Sequence, residues 1–202
     1  MKEKQSVKTV WNKARRAAVL CAFCCLLGGC AAPQKPTKEE ARLSQGVQQP
    51  YNAVIDLNYQ GLAAQATIDQ STPGCYQVKF TAPETVAGME FETDSETITI
   101  RFGELETSMK VDEFFDSAAV KALVSGLNSA AAGSGVEFSM EDQCLRMEGD
   151  SGSGRFLLRI DRENGNLLSL EMPQQGLSLS FKDFCFLSGP VPAASQTGES
   201  AQ

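Results

Sequence analysis

Whatever chemistry this 202-residue chain performs is done with 25 acidic residues, seven cysteines and no histidine. Without imidazole there is no Ser-His-Asp triad, no Cys-His pair and no His-bound metal. Gly149-Asp150-Ser151-Gly152 would suit a serine nucleophile, but no His is present to take the proton. It reads instead as a Ser/Gly-rich reversal. Glu90, Glu92, Asp94, Glu96, Glu104 and Glu106 form a dense acidic region. Such a region could hold Ca²⁺ or dock a basic partner. A solvated sheet face whose charges discourage aggregation is the better reading. Asp161-Arg162-Glu163-Asn164-Gly165 is too short and wrongly spaced for a Ca²⁺-binding loop. Carboxylates alone can hydrolyse glycosides, but no pair here sits in a recognisable context. The expectation is a protein that is not an enzyme and has no cofactor and no metal.

The cysteines divide into two sets. Cys21, Cys24, Cys25 and Cys30 lie in or just after an N-terminal leader, and Cys75, Cys144 and Cys185 lie in the body. The leader has a basic stretch ending at Arg16 and an apolar stretch from Ala17 to Leu27. That stretch is too short for a membrane span, which needs about 20 residues. Leu27-Gly28-Gly29-Cys30 resembles the bacterial lipobox. The resemblance implies a diacylglyceryl thioether on Cys30 and cleavage on its N-terminal side, with two acyl chains sufficient for stable anchoring. Cys21, Cys24 and Cys25 are apolar filler lost with the leader. An ordinary secretory signal is the alternative, and the residues around Arg15-Arg16 fit twin-arginine export poorly. Export allows one disulfide among Cys75, Cys144 and Cys185, with an odd thiol left over. Three unpaired, partly buried thiols are the other reading.

Charge follows the same division. The net −7 combines residues 1–29, with six Lys/Arg and one acid, and a remainder of 12 basic and 24 acidic residues. An acidic body argues against nucleic acid as a partner. It also argues against lying on an anionic membrane by charge attraction, so Cys30 would do the holding. Residues 30–50, with Pro33, Pro36 and Pro50, read as a lipidated tether that includes a short helix at 39–47. Residues 51–187 are the folded domain, and the Ser/Ala/Pro-rich 188–202 a disordered tail. The location implied is the extracytoplasmic face of a cell membrane.

The body must position these groups on strands. Apolar residues alternate at Ala53, Ile55, Leu57; at Ala64, Ala66, Ile68; and at Tyr76, Val78, Phe80. The pattern resumes at Met89, Phe91; Ile98, Ile100, Phe102; Val136, Phe138, Met140; Leu145, Met147; Phe156, Leu158, Ile160; Leu168, Leu170, Met172; and Leu177, Leu179, Phe181. Period two with one wet face marks antiparallel strands over a one-sided core. Asn164-Gly165 is a hairpin signal. One segment differs: Val111, Phe114, Phe115, Ala118, Ala119, Ala122, Leu123 and Leu127 recur at three and four, with Asp112 and Asp116 near the start. This predicts an amphipathic helix of about 16–20 residues. A sheet of about ten strands must curl or close. The fold class expected is α+β: a single curled antiparallel sheet, a half-open barrel, wrapped around one amphipathic helix.

This organisation resembles the LolA/LolB-like half-barrel family. The resemblance rests on the strand pair at 51–69, then Tyr76-Gln77-Val78-Lys79-Phe80-Thr81-Ala82-Pro83-Glu84 as a strand ending in Pro. Gly88-Met89-Glu90-Phe91-Glu92-Thr93-Asp94-Ser95-Glu96-Thr97-Ile98-Thr99-Ile100 then matches two strands around a turn that here lacks Gly. The family's functional Arg has no counterpart position, so no residue role is carried over. The resemblance implies a domain that handles lipids or lipoproteins. Met89, Phe91, Phe114, Phe115, Phe138, Met140, Met147, Phe156 and Met172 could line an acyl pocket, although ordinary core is the simpler role. Two functions follow. One is a membrane-anchored module binding a lipid, acyl chain or lipidated or apolar protein segment. The other is an interaction lipoprotein docking an envelope protein with no small-molecule ligand.

Overall fold

Among the described residues, eleven strands form one antiparallel sheet. They are β1 (Tyr51–Tyr59), β2 (Leu62–Thr72), β3 (Cys75–Ala82), β4 (Glu90–Asp94), β5 (Thr97–Phe102), β6 (Leu105–Lys110), β7 (Glu137–Glu141), β8 (Cys144–Ser151), β9 (Gly154–Asp161), β10 (Leu167–Met172) and β11 (Leu177–Phe186). The structure is a computed structural model, and residues 36–94, 96–114 and 118–187 are described. Cys30, the leader 1–29, Ser95, Phe115, Asp116 and the tail 188–202 lie outside them.

The spatial order is β6-β5-β4-β3-β2-β1-β11-β10-β9-β8-β7. Two meanders, β1–β6 and β7–β11, meet where the first strand pairs the last, for example Ile55 opposite Phe181. The edges β6 and β7 do not pair, so the barrel stays open. Alternation operates as read in β1, where Tyr51, Ala53, Ile55 and Leu57 are buried with half-buried residues between them; in β10 it slips, with Leu167 buried and Leu168 38% exposed beside a register shift. The strand absent from the expected set is β6. Of its residues only Met109 is half-buried and the rest are exposed, so no burial period marks it.

The helix α2 covers Ala119–Ala132 and is shorter than the periodicity suggests. Val111 and Phe114 belong instead to a turn, in which the Phe114 N–H donates to Lys110 O (3.2 Å) and Val111 O (3.3 Å). One turn is enough to bury Phe114 edge-on against Phe91, with centroids 6.3 Å apart, so its spacing mimics a helix that has not begun. The N-cap is Ala118, without a side-chain cap. The helix ends at Gly133 in the left-handed conformation, φ 65°.

The helix packs on β8–β11. Gly126 sets the approach: a Cβ there would lie 3.1 Å from Met172 Sδ and 3.3 Å from Leu170 Cδ2. Leu123, Leu127, Leu145, Met147, Phe156, Leu158 and Ile160 are all fully buried in this layer. Each such aliphatic side chain contributes roughly 1.5–3 kcal/mol by burial.

The chain is already packed before residue 51. Helix α1 (Lys38–Ser44) starts with a capping box: Thr37 Oγ1 accepts from the Glu40 N–H (3.3 Å), and Glu40 Oε2 accepts from the Thr37 N–H (2.7 Å). A 3₁₀ turn, Gln45–Gln48, follows. Leu43 and Val47, four apart, are fully buried. Gln48 Nε2 donates to Ala131 O (2.8 Å), and Gln70 Nε2 donates to Val47 O and Gln49 O (both 2.9 Å). Arg162 Nε donates to Glu39 Oε1 at 2.9 Å. The tether expected over 30–50 is therefore corrected at its C-terminal end. From Lys38 this segment is a strap on the domain, because its apolar pair has a core to enter.

Candidate binding cleft

A helix that rests on β8–β11 leaves the far end of the curled sheet less covered, from half-buried Ile100 to exposed Phe102 and Leu105. Between α2 and that end, formed by β4, β5 and the turn after β6, lies a cleft of about 830 Å³. Ile98, Val111, Phe114, Val120 and Val124 supply its apolar walls. They come from β5, the turn and two successive turns of the helix. Lys121 Nζ donates to Phe114 O (2.8 Å) and ties the helix to the turn.

The polar side of the cleft is built on α2. Ser125, Asn128 and Ser129 line it, facing Ser153 from the β8–β9 hairpin. Tyr76 OH donates to Asn128 Oδ1 at 3.0 Å. Burial pushes the Tyr76 phenol well above its ordinary range, so it stays protonated. Thr93 Oγ1 accepts from the Tyr76 N–H (3.2 Å) and donates to Gly74 O (3.0 Å). Lys110, Lys121, Glu96 and Asp112 also line the cleft, two charges of each sign.

The acidic region has a different role. Arg101 reaches Glu92 (2.6 Å), Glu106 (2.8 Å) and Glu90 (4.0 Å). Register puts Glu90 and Glu106 directly opposite Arg101 on the neighbouring strands. Asp94 Oδ1 accepts from the Thr97 N–H (2.8 Å) and the Glu96 N–H (3.2 Å), and these bonds lower its carboxyl pKa. Glu104 is exposed at the β5–β6 tip. Among the described residues no group of three or more acidic or Cys side chains could hold a metal ion.

Cys75, Cys144 and Cys185 are free thiols on β3, β8 and β11. Each is at least three strands from the next in the sheet order. Three strand spacings are about 14 Å, while a disulfide needs Cα atoms within about 7 Å. The sheet order therefore corrects the expectation of a bridge among them. Cys144 Sγ lies 3.6 Å from Glu141 Oε2, and burial followed by this contact raises its pKa. Ser151 Oγ donates to Gly154 O (2.8 Å) and accepts from the Ser153 N–H (3.2 Å), the turn role read from Gly149-Asp150-Ser151-Gly152.

The Met and Phe set does not assemble as a lining. Met147, Phe156 and Met172 are fully buried core, and Met89, Phe138 and Met140 are half-buried. Phe91 is buried beside Phe114, which alone among the described residues of the set lines the cleft. The valines and Asn128 were not anticipated. Asn128 lies with Lys121, Ser125 and Ser129 on the polar side of α2, so nothing in the sequence singled it out.

No family model matches this sequence, and no curated protein matches it. Solved structures similar to it include an uncharacterized conserved protein from Thermus thermophilus, at 11% identity, covering 74% of this chain and 85% of that one, TM-score 0.48. A LolA superfamily protein from Nitrosomonas europaea is similar at 9% identity, covering 75% and 94%, TM-score 0.41. A structure of the CwlD amidase from Clostridioides difficile in complex with the GerS lipoprotein is similar at 12% identity, covering 77% and 99%, TM-score 0.42. The half-open sheet on one helix stands on this chain's own strand order and register.

Proposed function

We propose that this chain is an extracytoplasmic binding module, anchored through a lipid on Cys30, that holds an acyl chain or apolar segment against α2. The observation that carries the reading is the 830 Å³ cleft with valine, isoleucine and phenylalanine walls between helix and sheet. Its size falls in the range of small-molecule sites, about 300–1,000 Å³. No catalytic step belongs to this reading. Native mass spectrometry of a Cys30→Ser form, produced with its host's lipids, tests it. A lipid adduct, or uptake of added lipid, is the expected result. A clean apo mass with no uptake would sink it.

A second reading is favoured by the far end of the open wall. Phe102 and Leu105, opposite each other at the β5–β6 tip, are 41% and 75% exposed. An envelope protein docking there would use the β6 edge without any small ligand. Crosslinking in membranes should then give one dominant partner, lost with Leu105→Glu. Recovery of the protein alone would discard this reading.

A further inference from the structure

Resting on the docking reading above, we infer that the β6 edge pairs with the β6 edge of a second copy of this chain, antiparallel about a two-fold axis at Ser108. Main-chain parity comes first. The Val111 N–H donates to Glu96 O (2.9 Å), and the β5–β6 register runs without a break. In an antiparallel ladder, the residues bonded to one neighbouring strand alternate with those facing away from it. Leu105, Thr107 and Met109 therefore bond toward β5, as Val111 does. The N–H and C=O groups of Glu106, Ser108 and Lys110 point to the free edge, where no strand pairs them among the described residues.

Charge then selects the occupant and the register. With Ser108 opposite Ser108, Glu106 of each copy lies opposite Lys110 of the other. All three positions present free main-chain groups, so each of these pairs can exchange two hydrogen bonds. Glu106 and Lys110 are exposed, and alternation puts them on the face opposite half-buried Met109. Arg101 Nε donates to Glu106 Oε2 (2.8 Å) and holds that carboxylate in place. Registers that set Glu106 against Glu106, or Lys110 against Lys110, are repelled. The registers between them lose one of the three pairs. On the other face the same register puts Leu105 of each copy beside Val111 of the other. Leu105 is 75% exposed, so this contact covers an apolar side chain otherwise left in water. The opposite edge of the sheet lacks this self-complementarity. Strand β7 carries Glu137 and Glu141 and no Lys or Arg, so a copy paired about Ser139 would set Glu against Glu.

Sedimentation equilibrium of the Cys30→Ser chain should show single copies when dilute and pairs as concentration rises, because a six-residue edge makes a small interface. Glu106→Lys and Lys110→Glu each set like charges opposite one another at both ends of the ladder. Each should weaken self-association about tenfold. Mixed in equal amounts, the two variants regain opposite charges at both ends, and a mixed dimer should form as readily as the dimer of the unaltered chain. That recovery also shows that neither substitution has unfolded the protein. A dimer indifferent to both substitutions, or a mixture that stays monomeric, overturns the β6 pairing. A chain that stays monomeric up to about 1 mM overturns the second copy, and crosslinking in membranes then separates the two readings. One dominant other protein, lost with Leu105→Glu, leaves the docking reading standing, and recovery of the chain alone overturns both.

Discussion

The two ends of the sheet cover their concave faces differently. On β8–β10, Leu145, Met147, Phe156, Leu158, Ile160, Leu170 and Met172 are fully buried. On β4–β6, burial fades from Ile98 at 2% exposed to Phe102 at 41% and Leu105 at 75%. Ten strand spacings measure about 48 Å, while one helix covers a band about 10 Å wide. One helix cannot cover such a sheet, and it lies where Gly126 lets it come closest to Leu170 and Met172. The difference separates two tasks. Packing that stabilises the fold is concentrated at one end, and exposed apolar surface is left at the other.

Substitutions at equivalent apolar residues should expose this asymmetry most strongly. Leu158→Ala should lower stability by about 3 kcal/mol, read from urea denaturation. Leu105→Ala should stay within about 0.5 kcal/mol. Equal losses would break the contrast. Enlarging the two faces of the helix should separate them next. Gly126→Val meets Met172 and Leu170 and should cost about 2 kcal/mol. Val124→Phe, on the cleft side, should cost less than about 1 kcal/mol and abolish lipid uptake.

Between the two ends lie the buried tyrosines. The Tyr51 hydroxyl is buried and meets no partner among the described residues. Tyr51→Phe should raise stability by up to about 1 kcal/mol. Burial raises the phenol pKa of both Tyr51 and Tyr76, and a raised folded value favours the protonated form. Their contribution is thus complete below the unfolded value near 10 and is lost as pH rises beyond it. A phenolate absorbance titration should show both ionising together with unfolding, not before it. The smallest effect belongs to the exposed Arg101 cluster, where Arg101→Ala should barely move the unfolding midpoint, and less still in high salt.

Most strands were legible because one face of each is buried. Strand β6 was not, since its side chains have nothing to pack under and its residues carry no period. The start of α2 was misplaced because Val111 and Phe114 satisfy helical spacing with a single turn. The strap was half legible: the short helix was expected, but the burial of Leu43 and Val47 depends on strands far along the chain. The cleft was illegible for a related reason. It is space left by the lateral position of the helix, which one glycine against two distant side chains decides. Asn128 is one polar residue among several on that side of α2, and its bond to Tyr76 joins residues 52 apart in sequence.

The strap has a mechanical consequence. A domain held from its N-terminal side receives any pull through Lys38–Gln48 and then through Tyr51 into β1. That strand is sixth of eleven, paired on both flanks. Inter-strand hydrogen bonds run across the strand direction, so tension along β1 loads two ladders in shear at once. Attachment at β6 or β7 would peel one ladder bond by bond. Tension applied from the N-terminal side would enter this sheet where it resists being pulled apart most strongly.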